Sequence, residues 1–287
     1  MAQEYRQIVL SEPKPFVKWA GGKRQLMSEL ERNFPTKFDT YLEPFLGGGA
    51  VMFDLLAKRS NLKCNVSDLN SDLVLAYVTI RDRLSRLIES LENHSKNYHK
   101  DSTRYYYEVR DQEPKNQIEK VSRLLFLNKT CFNGLYRVNS KGKFNVPMGR
   151  YTNPNIVNKE NLQIVSKALQ TEKIKISCRD FESVINDVKK GDFVYFDPPY
   201  QPVSNTANFT SYTNRNFTDD DLERLANLAE KLDSMGCKVL LSNSKSKIVE
   251  NSFSSSKWKI KEIQVNRAIN SDSKKRSGHS EVLIKNY

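Results

Sequence analysis

Four consecutive apolar residues, Phe193-Val194-Tyr195-Phe196, run straight into Asp197-Pro198-Pro199-Tyr200, and this junction constrains the fold more than any other stretch. An apolar run without polar alternation predicts a strand buried on both faces, as in a parallel sheet covered by helices. The two prolines stop it. Each fixes its own φ at about −65° and restricts the residue before it, so the carbonyls of the turn point in set directions. An acid at such a strand mouth suits a grip on a planar, conjugated amino group. The Asp197 carboxylate and the Pro198 carbonyl can each accept one hydrogen, drawing the nitrogen lone pair out of conjugation, while Tyr200 stacks on the ring that carries the amine. The plainer reading is a Pro-Pro turn with a tyrosine in the core.

A second junction has the same logic. Tyr41-Leu42 leads through Glu43-Pro44-Phe45-Leu46-Gly47-Gly48-Gly49 into a helix-like stretch at 50–59, and a short strand at 63–67 ends at Asp68. Strand, glycine turn and helix, with an acid about twenty residues on, resemble the part of a dinucleotide fold that holds a ribose. The spacing is not GxGxxG, and Gly21-Gly22-Lys23-Arg24 lacks the Ser or Thr of a P-loop. An adenosine-bearing ligand without a pyrophosphate, S-adenosylmethionine, fits better than a dinucleotide. Both junctions fall at carboxyl ends of strands, where open α/β sheets place their ligands.

The rest of the chain supports a mostly parallel sheet. Leu73, Tyr77, Ile80, Leu84, Leu87 and Leu91 recur at helical spacing and predict one long amphipathic helix. Residues 93–117 are polar, with Tyr105-Tyr106-Tyr107 embedded, and 118–127 are helical again. Residues 133–138 and 144–147 flank a glycine-bearing turn and predict a β-hairpin. Strands follow at 173–178, 192–196 and 237–241. Thr218 caps a helix with an apolar stripe at Leu222, Leu225, Leu228 and Leu232, closed by Gly236. Residues 258–265 and 280–285 form a last strand pair around a small, basic loop at 271–278.

Lys and Arg exceed Asp and Glu by 46 to 34, a net charge of +12 that points to a polyanionic partner. Between 120 and 150 stand seven basic residues (Lys120, Arg123, Lys129, Arg137, Lys141, Lys143, Arg150) and no acid, which suggests a face for nucleic acid. The four cysteines have no paired spacing, and Cys64, Cys178 and Cys237 are expected as buried thiols. His94 and His99 sit in polar surroundings and are expected in solvent; no histidine pattern suggests a metal. No stretch resembles a signal peptide or a membrane span, so a soluble, cytoplasmic protein is expected.

Four blocks carry a family resemblance: Lys18-Trp19-Ala20-Gly21-Gly22-Lys23; residues 43–49; Asn133-Gly134-Leu135-Tyr136-Arg137 through residues 144–151; and Asp197-Pro198-Pro199-Tyr200. Smaller echoes lie at 68–73, 207–212 and Ser242-Asn243. In these blocks and their order the chain resembles DNA adenine-N6 methyltransferases of the Dam type, the α group that includes the DpnII-system enzyme. The resemblance implies a Rossmann-like α/β methyltransferase sheet (residues 1–79 and 152–287). It also implies an inserted small helical target-recognition domain (residues 80–151) carrying a β-hairpin. By position, Trp19, Lys23, Phe45, Gly47, Gly49, Asp68, Asp180, Phe181 and Asp197 would line the S-adenosylmethionine site. Asp197, Pro198, Pro199 and Tyr200 would hold a flipped adenine. Lys18 and Arg137 would meet guanines, and Leu135 and Pro147 a thymine methyl. Phe132 and Asn133 would fill the opened duplex, where relatives often carry Tyr in place of Phe132. Arg150 and Tyr151 would touch the backbone or a base edge. The implied target is GATC in double-stranded DNA, with a bacterial or phage-encoded enzyme acting as a monomer, without metal or membrane.

Three rivals remain open on the residues alone. An amino-methyltransferase acting on RNA or on a protein glutamine uses a similar proline turn, but more often carries Asn where Asp197 stands. A DNA-binding module that has lost catalysis would not need Asp68, Asp197 and Tyr200 intact. A dehydrogenase leaves the Asp-Pro-Pro-Tyr turn unexplained.

Overall fold

A computed structural model describes residues 12–19, 21–59, 61–139, 141–199, 217–265 and 279–287. Tyr200, the echo at 207–212 and the loop expected at 271–278 lie outside the described residues. Seven strands form one sheet: β1 (Thr40–Glu43), β2 (Lys63–Asp68), β3 (Ile174–Cys178), β4 (Phe193–Phe196), β5 (Lys238–Ser244), β6 (Lys259–Val265) and β7 (His279–Lys285), in the order β3-β2-β1-β4-β5-β7-β6. All neighbours pair in parallel except β7, which runs antiparallel to both β5 and β6. This is the mainly parallel sheet the apolar runs predict, in the Rossmann-like form the resemblance implies. Phe193, Val194, Tyr195 and Phe196 are fully buried, because β4 is central and helices cover both faces.

The strand order reverses between β1 and β4. From β1 the chain builds outward through β2 to β3, then returns across β1 to start β4. The carboxyl ends on either side of that reversal form the crevice where open α/β sheets place their ligands. The helices among the described residues are, in chain order, α1 (Met27–Asn33), α2 (Ala50–Lys58), α3 (Ser71–Asp82), α4 (Leu84–Tyr98), α5 (Ser102–Asp111), α6 (Gln117–Thr130), α7 (Lys159–Leu169), α8 (Asp219–Ser234) and α9 (Lys247–Ser252). As expected, Thr218 caps α8. Its hydroxyl accepts from the Asp221 amide at 3.3 Å while Asp221 Oδ2 accepts from the Thr218 amide at 3.0 Å, a capping box contributing about 1 kcal/mol.

The long helix predicted from Leu73 to Leu91 is two helices. Arg83, at φ −137° and ψ 32°, breaks the path between α3 and α4. Both helices keep their apolar side inward, so spacing alone carried no sign of the change in direction. The stretch 93–117 is not merely polar either. Asp101 caps α5 by accepting from the Arg104 amide at 3.0 Å, and Tyr106 is fully buried with its hydroxyl donating to the Val146 carbonyl at 2.9 Å. The hairpin expected over 133–147 is held by the isolated bridge Val138↔Phe144, with a second bridge, Cys131↔Met148, closing its base. Among the described residues it has no strand ladder, and a short 3-10 turn at Phe132–Gly134 opens it.

Two other expectations fail. Cys178 is exposed, since β3 is an edge strand; Cys64, Cys131 and Cys237 are buried. His94 is not solvated: it stacks on Phe126 at 4.9 Å, and its Nδ1 lies 2.8 Å from the Tyr105 hydroxyl. Burial pushes its pKa down to about 4. On one face of the sheet the apolar core runs without a break from Tyr41 and Val66 through Leu73, Tyr77 and Leu87 to Phe126 and Val146, so α4–α6 share that core. The other face packs Val194, Phe196, Val239 and Leu241 against α8 and α9.

Candidate active site and nucleic-acid interface

The crevice collects the ends of β1, β2, β4 and β5. After β1 the chain turns back over β2, with the Leu46 amide donating to the Ser67 carbonyl at 3.0 Å. Asp68, at the end of β2, holds the turn by accepting from the Gly47 amide through Oδ2 and from the Asn70 amide through Oδ1, each at 2.8 Å. Burial raises the pKa of this carboxyl, and those amides partly oppose the rise. Gly49 caps α2 at φ 69°, and a Cβ there would lie 2.6 Å from the Tyr77 hydroxyl, which itself donates to the Gly47 carbonyl at 3.0 Å. Trp19 covers the turn, close enough that a Cβ on Gly47 would sit 3.0 Å from its ring.

Beside the turn, Phe45 stacks on Phe181 with ring centroids 5.2 Å apart. Asp180, one residue before Phe181, caps the short helix Phe181–Asn186 and accepts from Arg224 Nη2 at 2.9 Å. The Arg224 guanidinium also lies 4.8 Å from the Phe181 ring centre and bonds Glu182 and Asp221. One arginine on α8 thus fixes both members of the Asp180-Phe181 pair. Nothing in the sequence singled it out.

Across the crevice stands Asp197. Its Oδ1 is 2.7 Å from Lys23 Nζ and accepts from Ser242 Oγ at 3.0 Å. Ser242 has one hydroxyl hydrogen and gives it to Asp197, so the Tyr195 hydroxyl, 2.9 Å away, donates to Ser242. Burial raises the Asp197 pKa; the Lys23 cation is the largest opposing influence. Pro198 is buried and Pro199 exposed. Lys23, expected in the S-adenosylmethionine set, reaches Asp197, expected in both that set and the adenine grip, through one ion pair. Glu43, at the end of β1, is buried with its Oε2 unpartnered among the described residues, and burial raises its pKa strongly. No group of three His, Cys, Asp or Glu residues placed to hold a metal occurs among the described residues.

The residues expected to face DNA lie together around the 3-10 turn. Asn128, buried in α6, accepts from the Lys18 amide at 2.8 Å and donates through Nδ2 to the Lys18 carbonyl at 2.8 Å and the Gly134 carbonyl at 3.0 Å. That clamp sets Lys18 against Gly134 (φ 66°), where a Cβ would lie 2.7 Å from the Lys18 Cβ. Lys18 Nζ extends to the Tyr151 hydroxyl at 3.1 Å. Phe132 is 48% exposed, and Asn133, at φ 54°, is exposed beside it. Leu135 is half-buried on the core, while Pro147 and Arg150 are exposed. The Arg137 side chain is folded back, with Nε donating to Asn145 Oδ1 at 2.8 Å and Nη2 to the Asn145 carbonyl at 3.1 Å.

The basic run does not act as one face. Arg123 is turned inward and donates through Nε to the Val109 carbonyl at 2.8 Å, and through Nη2 to Arg110, closing the end of α5. Lys120 pairs with Asp72 at 2.7 Å and Lys143 with Glu113 at 3.0 Å. Lys129 is half-buried, and burial pushes its pKa down to about 8.

Residues 19–269 match the D12 class N6 adenine-specific DNA methyltransferase family. The chain is 45% identical to the Type II methyltransferase M.MjaIII of Methanocaldococcus jannaschii over 96% of its own length and all of that protein's. The chain belongs to this family. It is also 41% identical to the Type II methyltransferase M1.LlaDCHI of Lactococcus lactis subsp. cremoris, and 31% identical to the DNA adenine methylase of Escherichia coli K12. Each match covers 96% of this chain and 95% of the relative. As a DNA adenine-N6 methyltransferase it acts on DNA. No helix among its described residues is long and apolar enough to cross a membrane.

Several residues of this methyltransferase's crevice escaped the sequence reading. Ser242 lay in an echoed dipeptide without a role. Glu281, 4.0 Å from Lys23 Nζ, comes from β7, far from any block. Tyr136 packs on Trp19 at 5.5 Å and donates to Asp72 at 3.3 Å, linking the DNA-facing turn to the start of α3. Of these, only Tyr136 stood inside a recognised block.

Proposed function

We propose that the chain transfers a methyl group from S-adenosylmethionine to N6 of adenine within duplex GATC, with the target base rotated out of the helix. The carrying observation is the Lys23-held Asp197 carboxylate at the end of β4, across the strand-order reversal from the glycine turn and Asp68. Trp19, Phe45, Gly47, Gly49, Asp68, Asp180 and Phe181 suit that donor. The Phe45 and Phe181 faces match a purine, Asp68 a ribose, and the turn beneath Trp19 leaves no Cβ in the way of a close approach. When bound, S-adenosylmethionine supplies a methyl group made electrophilic by its sulfonium.

The protein's work is to orient the acceptor. Asp197 and the Pro198 carbonyl each accept an N6 hydrogen, which aims the lone pair, and Tyr200 stacks on the extruded base. The new N–C bond forms as the S–C bond breaks, the bonding pair returns to sulfur, and the proton that N6 gives up passes to the Asp197 carboxylate and on to solvent. Exposed Phe132 and Asn133 suit the gap left in the duplex. Lys18 and Arg137 read guanines, with Arg137 able to bridge O6 and N7, and Leu135 and Pro147 meet the thymine methyl. Arg150 and Tyr151 meet the backbone or a base edge. Residues 80–151 serve as the target-recognition part, and residues 1–79 and 152–287 as the catalytic part.

The test is tritiated methyl transfer from S-adenosylmethionine to two duplexes, one with a single GATC and one with GTTC in the same context. Label on the first alone, recovered as N6-methyladenine, is expected. Equal label on both duplexes, or on neither, overturns the GATC assignment.

A further inference from the structure

Arg224, in the second turn of α8, is the hub of three carboxylates. Its Nη1 donates to Asp221 Oδ1 at 2.7 Å. Its Nη2 donates to Asp180 Oδ1 at 2.9 Å and to Glu182 Oε2 at 2.6 Å, and its Nε to Glu182 Oε2 at 3.2 Å. Asp221 is buried and also accepts from the Thr218 amide, so the guanidinium is anchored in the first turn of α8. The same guanidinium lies 4.8 Å from the centre of the Phe181 ring, within cation–π range. Asp180 Oδ1 also accepts from the Glu182 amide at 3.0 Å. Among the described residues, then, the hydrogen bonds to this carboxylate fall on Oδ1 and none on Oδ2.

The Asp180 and Glu182 side chains are 42% and 47% exposed, and ion pairs so open to solvent add little to stability. A planar fork with fixed bond directions can still set orientation, which a flexible ammonium does less well. Without it, Asp180 would keep the Glu182 amide but lose the group that fixes the plane of its carboxylate. The three acids would also repel one another. With it, Oδ1 is held twice, and the place of Oδ2 follows from α8. An oxygen so placed accepts a hydrogen from the exocyclic amine of adenine. A purine with a carbonyl at that carbon would set an acceptor against an acceptor.

We propose that Arg224 is a positioning residue for the methyl donor: by tying Asp180 Oδ1 and the Phe181 ring to α8, it aims Asp180 Oδ2 at the exocyclic amine of the donor's adenine. This role rests on the reading of Asp180 and Phe181 as donor residues. Arg224 acts through Asp180, so its loss is felt in the choice of purine rather than in stability.

The experiment is calorimetric binding of S-adenosylhomocysteine and of S-inosylhomocysteine, in which a carbonyl replaces the amine. It compares wild type, Arg224→Gln, Arg224→Lys, Asp180→Ala and the double variant Arg224→Gln, Asp180→Ala, with melting temperatures alongside. Arg224→Gln is expected to weaken binding of the adenosyl compound about tenfold and of the inosyl compound far less, with the melting temperature little changed. Arg224→Lys falls between it and wild type. In the Asp180→Ala background, Arg224→Gln adds little, as two residues acting through one contact require. Unchanged adenosyl binding by Arg224→Gln overturns this inference alone. Equal losses for the two compounds overturn it as well, as do losses that multiply in the double variant. A wild type that binds neither compound, or prefers neither, overturns the donor reading of Asp180 and this inference with it. If Arg224→Gln does not fold, the ratio of the two affinities in Arg224→Lys decides: a wild-type ratio overturns the role, and a reduced one supports it.

Discussion

On the proposed function the crevice at the strand ends and the turn at 131–151 each meet a nucleotide, yet they are made in opposite ways. In the crevice three carboxylates already have internal partners: Asp68 holds two amides, Asp180 holds Arg224, and Asp197 holds Lys23 and Ser242. Those groups grow from strand ends and need no substrate to order them. Around the turn the backbone is irregular. Phe132 and Asn133 stand in solvent, and Arg137 is parked on Asn145. Chemistry at one atom asks for a rigid frame, whereas reading a duplex asks for side chains that can leave their resting contacts.

Four substitutions probe that contrast, from the largest effect down. Asp197→Ala should cost on the order of a thousandfold in single-turnover rate while calorimetry still finds donor binding. Near-normal turnover would mean the crevice is not the rigid side of the comparison. Asn128→Ala removes the clamp that ties the Lys18 backbone to Gly134. It should lower stability by about 1–3 kcal/mol in a thermal melt and weaken binding to duplex DNA, since two carbonyls and one amide lose their partner. Unchanged DNA affinity would detach the clamp from recognition.

Arg137→Ala should reduce discrimination at one guanine by about 1–3 kcal/mol, read as relative transfer rates on singly altered sites. Equal losses on every sequence would mark a phosphate contact instead. The smallest effect is one of acid. His94 is held neutral with a folded pKa of about 4, against an ordinary 6.5. Its contribution is complete above pH 6.5 and is lost as pH falls toward 4, because the unfolded chain takes the proton first. Asp68 and Asp197, whose pKa values are raised, have the opposite sign and favour folding as pH falls. Melting curves of wild type and His94→Phe across that range should therefore converge, or cross in favour of the variant. A constant gap would clear His94 of the acid response.

What could be read from the chain divides along the same line. The central strand, the glycine turn, Asp68 and Asp197 were legible because a strand end fixes which way its next residues face. The break at Arg83 was not, because apolar spacing records which side is buried and not where the axis turns. Helix α5 could have been found from its Asp101 cap, and α7 from Leu162, Val165 and Leu169. The basic run promised a charged face but mixed surface groups with Arg123, whose task is to close a helix. Lys23 was recognised, but its ion pair with Asp197 was not. Its partners Asp197 and Glu281 come from the end of β4 and from β7, and no spacing in sequence announces a contact of that range.

The unbroken core also limits how this enzyme could be given a new target. Helices α3 and α7, through which the chain leaves and rejoins the sheet, share their apolar layer with α4 and α6, so residues 80–151 do not form a cartridge to be exchanged whole. The smallest graft that respects the packing is the turn closed by Cys131 and Met148. A donor turn would have to bring a glycine to match Lys18 and a partner for the Asn128 amide.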